Sequence, residues 1–157
     1  MSVAFRRESD DEHKEPKFEI PIPVGPNLVT ARGLALTEAR VTELEAALAE
    51  EAEETRRSEI NRDLRYWRTR LATAELQPLA NGDEVAFGTR VVFRLNGKER
   101  RVDLVGDDES DPGEGRISFS SPLSRALMGA CAGDFVDWNG TPDAIEIISV
   151  GAIPEDK

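Results

Sequence analysis

Apolar positions between Thr30 and Gln77 fall into two seams. Leu34, Val41 and Leu48 recur every seven residues with Leu44 on the same face, and Ile60, Leu64, Trp67, Leu71 and Ala74 follow a four-three-four-three spacing. In one unbroken helix the second stripe would emerge roughly opposite the first. Two antiparallel helices bring both stripes together, so the pattern predicts a helical hairpin. Its reversal is expected within Ala52 to Glu59, where Thr55 or Ser58 is a candidate cap for the second helix, although no Gly or Pro marks the break. One long helix is the alternative.

Beyond Gln77-Pro78 and the turn Asn81-Gly82-Asp83 the period changes from helical to alternating. Thr89 to Leu95 and Glu99 to Val105 flank Asn96-Gly97-Lys98, the strongest hairpin signal in the chain. Asp107, Asp108, Glu109 and Asp111 run into Pro112-Gly113 and Gly115, which predicts a solvated acidic loop. Arg116 to Ser120 alternates as a short strand. Ser121 and Pro122 then open a brief helix, Leu123 to Met128, which Gly129 ends. Phe135 to Trp138 and Ala144 to Val150 add two strands around Asn139-Gly140. The fold class is therefore α+β: an N-terminal antiparallel helical hairpin, then a small, mostly antiparallel sheet with one short helix. We divide the chain into an extended or disordered arm (1–26), the hairpin (27–78), the sheet domain (79–152) and a tail (153–157).

Charge narrows the partners. A net charge of −11, concentrated in the sheet domain, argues against gripping nucleic acid by phosphate neutralisation and favours a protein partner. The single cysteine, Cys131, forbids an internal disulfide and suits a reducing cytoplasm. No apolar run approaches the ~20 residues of a membrane span, and no cleavable signal is visible. Four prolines, Pro16, Pro21, Pro23 and Pro26, keep the arm from being helical, and FEIPIPV is suited to lie along a neighbour as a strand. The lone His13 lacks companions at metal-ligand spacing and reads as solvated.

The run VGDDESDPGEGRISFSSPLSRALMG, with Gly133-Asp134 and the closing EIISV, resembles the C-terminal domain of the bacterial Gre (GreA/GreB) transcription elongation factors in order and spacing. NLVTARGLALTEARVTELEAAL, from Asn27, is similar to the start of that family's coiled coil. The resemblance implies an FKBP-like fold, which alone brings no prolyl isomerase activity. It also implies a cytoplasmic protein that docks on the rim of the RNA polymerase secondary channel. Carried over by motif, the docking corner is Ser120, Ser121, Pro122 and Leu123, with Arg125 one helical turn on. The family often has an acidic residue where this chain has Ser120.

Cleavage factors of this family are expected to bring an Asp and a Glu, on a long hairpin, to the Mg²⁺ of the polymerase active site. This chain lacks their tip motif, so Glu53, Glu54, Glu59 and Asp63 are candidate tip carboxylates without a residue-by-residue match. A first helix from Ala31 to Glu53 has 23 residues. It would reach roughly 35 Å, about 18 Å short of the full-length family. The resemblance thus implies docking more directly than cleavage, with no enzyme activity of its own and no cofactor except the polymerase's Mg²⁺. The leading expectation is a monomeric elongation regulator. The alternatives are an active transcript cleavage factor with a rearranged tip, and a protein resembling the nucleoside diphosphate kinase regulators, which compete with cleavage factors.

The second helix is rich in arginine, and Arg56, Arg57 and Arg62 form a candidate basic face for RNA, DNA or a polymerase loop; the competing account is solvated side chains in cross-helix ion pairs. Arg125 is also placed to pair with the acidic loop. Trp67 reads as core, Tyr66 as an exposed contact candidate, and Cys131 as a small buried apolar residue. The aromatics Phe87, Phe93, Phe119, Phe135 and Trp138 read mostly as strand core.

Overall fold

The computed structural model describes residues 19–78, 80 and 82–154. His13, most of the arm, Asn81 and the end of the tail lie outside the described residues. Strand β1 (Leu28–Val29) leads into helix α1 (Ala31–Glu50), α2 (Glu54–Thr73) returns antiparallel to it, and β2 (Glu75–Leu76) pairs in parallel with β1. The hairpin is thereby closed at its root by backbone hydrogen bonds, with the Glu75 N–H donating to the Asn27 carbonyl and the Gln77 N–H to that of Val29. The seams meet as expected. Val41, Leu44, Ile60 and Leu64 are buried together, and Ala47, Leu48, Trp67 and Leu71 pack around them. Trp67 is core-facing and holds Tyr66 edge-on at 5.1 Å.

The reversal is tighter than expected. Only Glu51 to Glu53 lie between the helices, and α1 has 20 residues rather than 23. Glu53, not Thr55 or Ser58, caps α2, its carboxylate accepting from the Arg56 N–H. A carboxylate suits this position because it meets both the orphan N–H groups and the positive end of the helix dipole.

Five strands form the second layer, in the order β5-β4-β3-β7-β6. They are β3 (Thr89–Leu95), β4 (Lys98–Val105), β5 (Arg116–Ser118), β6 (Phe135–Trp138) and β7 (Thr141–Ala152). Asn96-Gly97 and Asn139-Gly140 take positive φ at both positions, the geometry of two-residue hairpin turns. The sheet is mixed rather than wholly antiparallel, because β5 pairs in parallel with β4 after the acidic loop crosses over. Helix α3 (Pro122–Leu127) covers one face. Phe93, Leu104, Leu127, Ile145 and Ile147 form the centre of that core.

Between the two layers lies the feature that the sequence concealed. Asp107 to Glu109 is a single 3-10 turn, and its three carboxylates serve three different elements. Asp107 accepts from the hydroxyls of Ser118 and Ser120. Asp108 accepts from the Arg70 Nε and from the Tyr66 hydroxyl, both on α2. Glu109 accepts from the Thr30 hydroxyl at 2.6 Å and from Arg32 at 3.1 Å, at the start of α1. Arg70 is 2% exposed, and its remaining reach goes to the Asn27 Oδ1 at 2.7 Å, while the Asn27 amide returns a hydrogen bond to the Arg70 carbonyl. The buried charge is thus met by one carboxylate and one amide oxygen, with the Asp107 carboxylate 3.8 Å away. Close approach does the rest: a Cβ at Gly106 would lie 2.3 Å from the Leu28 carbonyl oxygen, so only glycine fits there.

Two outcomes follow from this joint. Arg70→Met leaves Asp108 without its ionic partner in a largely buried position, and is expected to cost ~3–5 kcal/mol, read from urea unfolding followed by tryptophan fluorescence. Tyr66, the chain's one tyrosine, has its pKa raised above the ordinary 10.0, first by burial and then by its hydrogen bond to Asp108. Folded protein is favoured by the protonated phenol, so stability from this group is intact below about pH 10 and declines as pH rises further. Tyrosinate absorbance is expected to appear only well above pH 10, together with unfolding, and a simple titration near 10 in folded protein would contradict the contact.

Candidate functional site

Strand β5 ends at Ser118, and the chain turns a corner before α3. Ser121 caps the helix as expected, its hydroxyl accepting from the Ser124 N–H at 3.3 Å, and Pro122 takes the first helical position. The Ser124 hydroxyl donates to the Ser118 carbonyl at 2.6 Å and closes the corner from beneath. Gly129, at φ +86°, ends the helix. Pro122 is exposed. Leu123 is half-buried and packs on the sheet core, so only part of it is offered outward.

Ser120 is exposed but engaged, since its hydroxyl donates to Asp107 at 3.0 Å and lies 2.8 Å from that of Ser118. An acidic side chain in its place would face Asp107 directly. The corner's negative charge here is therefore supplied by Asp107, held by two serines. Arg125 is exposed, and among the described residues it makes no ion pair with the acidic loop, contrary to that expectation. Corner and hairpin share one anchor, because Asp107 also lies 3.8 Å from the Arg70 guanidinium.

At the far end of the hairpin the candidate tip carboxylates are not gathered into a cluster. Glu53 is the helix cap, and the Glu51 carboxylate accepts from the Glu53 N–H. Glu59 pairs with Arg56 at 3.0 Å, and Asp63 with Arg62 at 3.1 Å, lower on the same helix. Glu54 stands in the first turn of α2, exposed. No group of three or more acidic, histidine or cysteine side chains among the described residues is arranged to hold a metal ion.

The basic face is likewise divided. Arg57 turns inward and donates to the Leu48 and Glu51 carbonyls at 2.9 and 2.8 Å, closing the C-terminus of α1. Arg56 and Arg62 face solvent in local pairs. Arg68 crosses to Glu45 at 3.0 Å, and Arg65 holds Glu19 of the arm in a two-pronged contact that lowers the Glu19 pKa. Such exposed pairs contribute little each.

Three further sequence expectations fail here for identifiable reasons. Tyr66 is half-buried because the acidic turn reaches back to it. Phe135 is 56% exposed, since β6 is the edge strand and Phe135 faces away from the core. Cys131 is half-buried in a bridge opposite Glu84, and partial burial with the Asp134, Asp83 and Glu84 carboxylates pushes its thiol pKa up. The signal that was available is the i, i+4 spacing of Tyr66 and Arg70, which puts a phenol and a guanidinium on one helix face beside the apolar seam.

Residues 80–152 match the family described as "Transcription elongation factor, GreA/GreB, C-term". Over 86 residues the chain is 41% identical to the transcription elongation factor GreA of Sinorhizobium medicae, covering 51% of this chain and 54% of that one. Over 110 residues it is 41% identical to the transcription elongation factor GreB of Neisseria meningitidis, covering 64% and 66%. The chain spans about half the length of the GreA proteins it matches. Among solved structures it is similar to GreA factor homolog 1 (Gfh1) of Thermus thermophilus, with TM-score 0.38, 16% identity, and 82% and 100% of the two chains covered. It is also similar to a GreA/GreB factor from Nitrosomonas europaea, with TM-score 0.39, 21% identity, and 82% and 99% covered. The sheet domain, residues 80–152, is a GreA/GreB C-terminal domain of the kind found in the transcription elongation factors.

Proposed function

We propose that this protein is a transcription elongation regulator that binds RNA polymerase at the rim of its secondary channel and does no chemistry of its own. The exposed Pro122 corner with Ser120, Ser121, part of Leu123 and Arg125 is the docking surface. The hairpin projects from it into the channel mouth, where Arg56 and Arg62 face RNA, DNA or a polymerase loop. The protein acts in the cytoplasm as a monomer and brings no metal, the only Mg²⁺ concerned being that of the polymerase.

The observation that carries the regulatory form of this proposal is the hairpin tip. Helices of 20 residues reach about 30 Å, and the three-residue turn between them uses its carboxylates as caps. A metal-assisting tip needs acids that are free, close together and at the right depth. Here Glu53, Glu59 and Asp63 are each occupied, which leaves Glu54 as the one acid of the four without a hydrogen bond or ion pair among the described residues. A factor that docks without reaching the reacting phosphate occupies the channel mouth and competes with factors that do reach it.

The test uses the corner. Pro122→Asp with Arg125→Glu alters the exposed surface while retaining a favourable first helical position, because an acid suits a helix N-terminus. The wild-type protein is expected to suppress RNA cleavage by a cleavage-competent Gre factor in a dose-dependent way, and the double variant to lose at least about tenfold in polymerase affinity, equivalent to roughly 1.4 kcal/mol. Equal competition by both proteins would move the interface away from the corner.

A further inference from the structure

The face of the sheet opposite α3 does not lie flat against the hairpin. Between the hairpin root, the linker after β2 and this face runs a cleft of about 780 Å³. Its volume falls within the ~300–1,000 Å³ usual for small-molecule sites, and its place at the joint of two parts of the chain is also usual for them. Leu76, Val105 and Ile153 contribute apolar walls, and Arg32, Arg90 and Arg116 line it from three different elements.

The charges are not equivalent. Arg90 is held two-pronged by Asp103 at 2.7 and 3.0 Å, and Arg32 pairs with Glu109 at 3.1 Å. Both carboxylates are nearly buried, at 7% and 8% exposure, and fix those guanidiniums on the cleft wall. No carboxylate among the described residues pairs with Arg116, whose backbone alone is tied, to Asp111. The described lining therefore carries three arginines against two carboxylates in a chain of net charge −11, and one guanidinium fork remains unmatched. A guanidinium of this kind, beside apolar walls, recognises a carboxylate, phosphate or sulfonate joined to an apolar body.

We propose that this cleft is a binding site for a small organic anion with an aromatic or aliphatic body, in which Arg116 grips the anionic group and Leu76, Val105 and Ile153 enclose the rest. The occupant touches the hairpin root and the sheet together, so binding stiffens the joint between them. The site stands apart from the Pro122 corner, and its existence does not depend on the docking proposal.

The experiment titrates isotope-labelled full-length protein with anilinonaphthalene sulfonate, an amphipathic anion, and follows amide chemical shifts, with inorganic phosphate alone as a second arm. Saturable shifts are expected at Ala31, Arg32, Arg90, Asp103, Val105, Arg116 and Ile153, accompanied by a rise in melting temperature. Phosphate alone is expected to bind more weakly, for lack of an apolar body. Arg116→Ala is expected to weaken the probe at least about tenfold, as loss of a charge-assisted hydrogen bond implies. Ile153→Asp, which places a negative charge and no apolar wall at the other side of the cleft, has the same direction, and Arg68→Ala on the hairpin surface changes nothing. Shifts centred on the exposed Phe135 and Met128, no saturation, or unchanged affinity in folded Arg116→Ala would each overturn the site.

Discussion

The buried ion pair of Arg70 with Asp108 is the constraint on which the rest of the architecture depends. A guanidinium removed from water needs a counter-charge and hydrogen-bond acceptors, and here they come from the acidic turn and from Asn27 beside β1. That requirement fixes the position of α2 against the turn. The neighbouring carboxylates extend the constraint in both directions, Glu109 to the start of α1 and Asp107 to the serines of the corner. Three consecutive acids thus join the hairpin, the sheet and the exposed corner. Replacing the pair by apolar groups would keep the packing but lose the directionality of three side-chain hydrogen bonds.

A hairpin so anchored has a defined aim, and its usefulness depends on where it is aimed from. Pro122 and Arg125 are exposed on the sheet domain, while the carboxylate that supports Ser120 from behind also lies within reach of Arg70. Whatever grips the corner therefore holds a surface coupled to the root of the hairpin through a single turn. At the other end the chain reverses in three residues, helped by Arg57, which meets the Leu48 and Glu51 carbonyls, and by Glu53, which meets the Arg56 N–H. Compactness at the tip and availability of tip carboxylates are in conflict, and in this chain compactness prevails.

Much of this was legible in the sequence because its signals are local. Two apolar seams announced the hairpin, Asn-Gly pairs placed two strand connections, and Ser121-Pro122 with Gly129 bounded α3 within a residue. The acidic run was misleading for the same reason. Asp107 to Glu109 reads as solvated charge, and the hairpin partners of Asp108 and Glu109 lie 38 to 79 residues upstream, beyond any local pattern. The parallel pairings of β1 with β2 and of β5 with β4 were missed because two- and three-residue strands carry no period. At the corner the sequence marked the turn from strand to helix, but only the structure showed Leu123 turned partly to the core and Ser120 committed to Asp107.

The central claim is that this hairpin docks without delivering catalytic carboxylates. It is tested most directly by adding the protein alone to stalled, backtracked elongation complexes of its host polymerase carrying labelled RNA, and measuring RNA length over time. The account predicts no shortening beyond the polymerase's own slow rate. Shortening that depends on the protein and disappears when Glu53, Glu54, Glu59 and Asp63 are replaced together by alanine would contradict it.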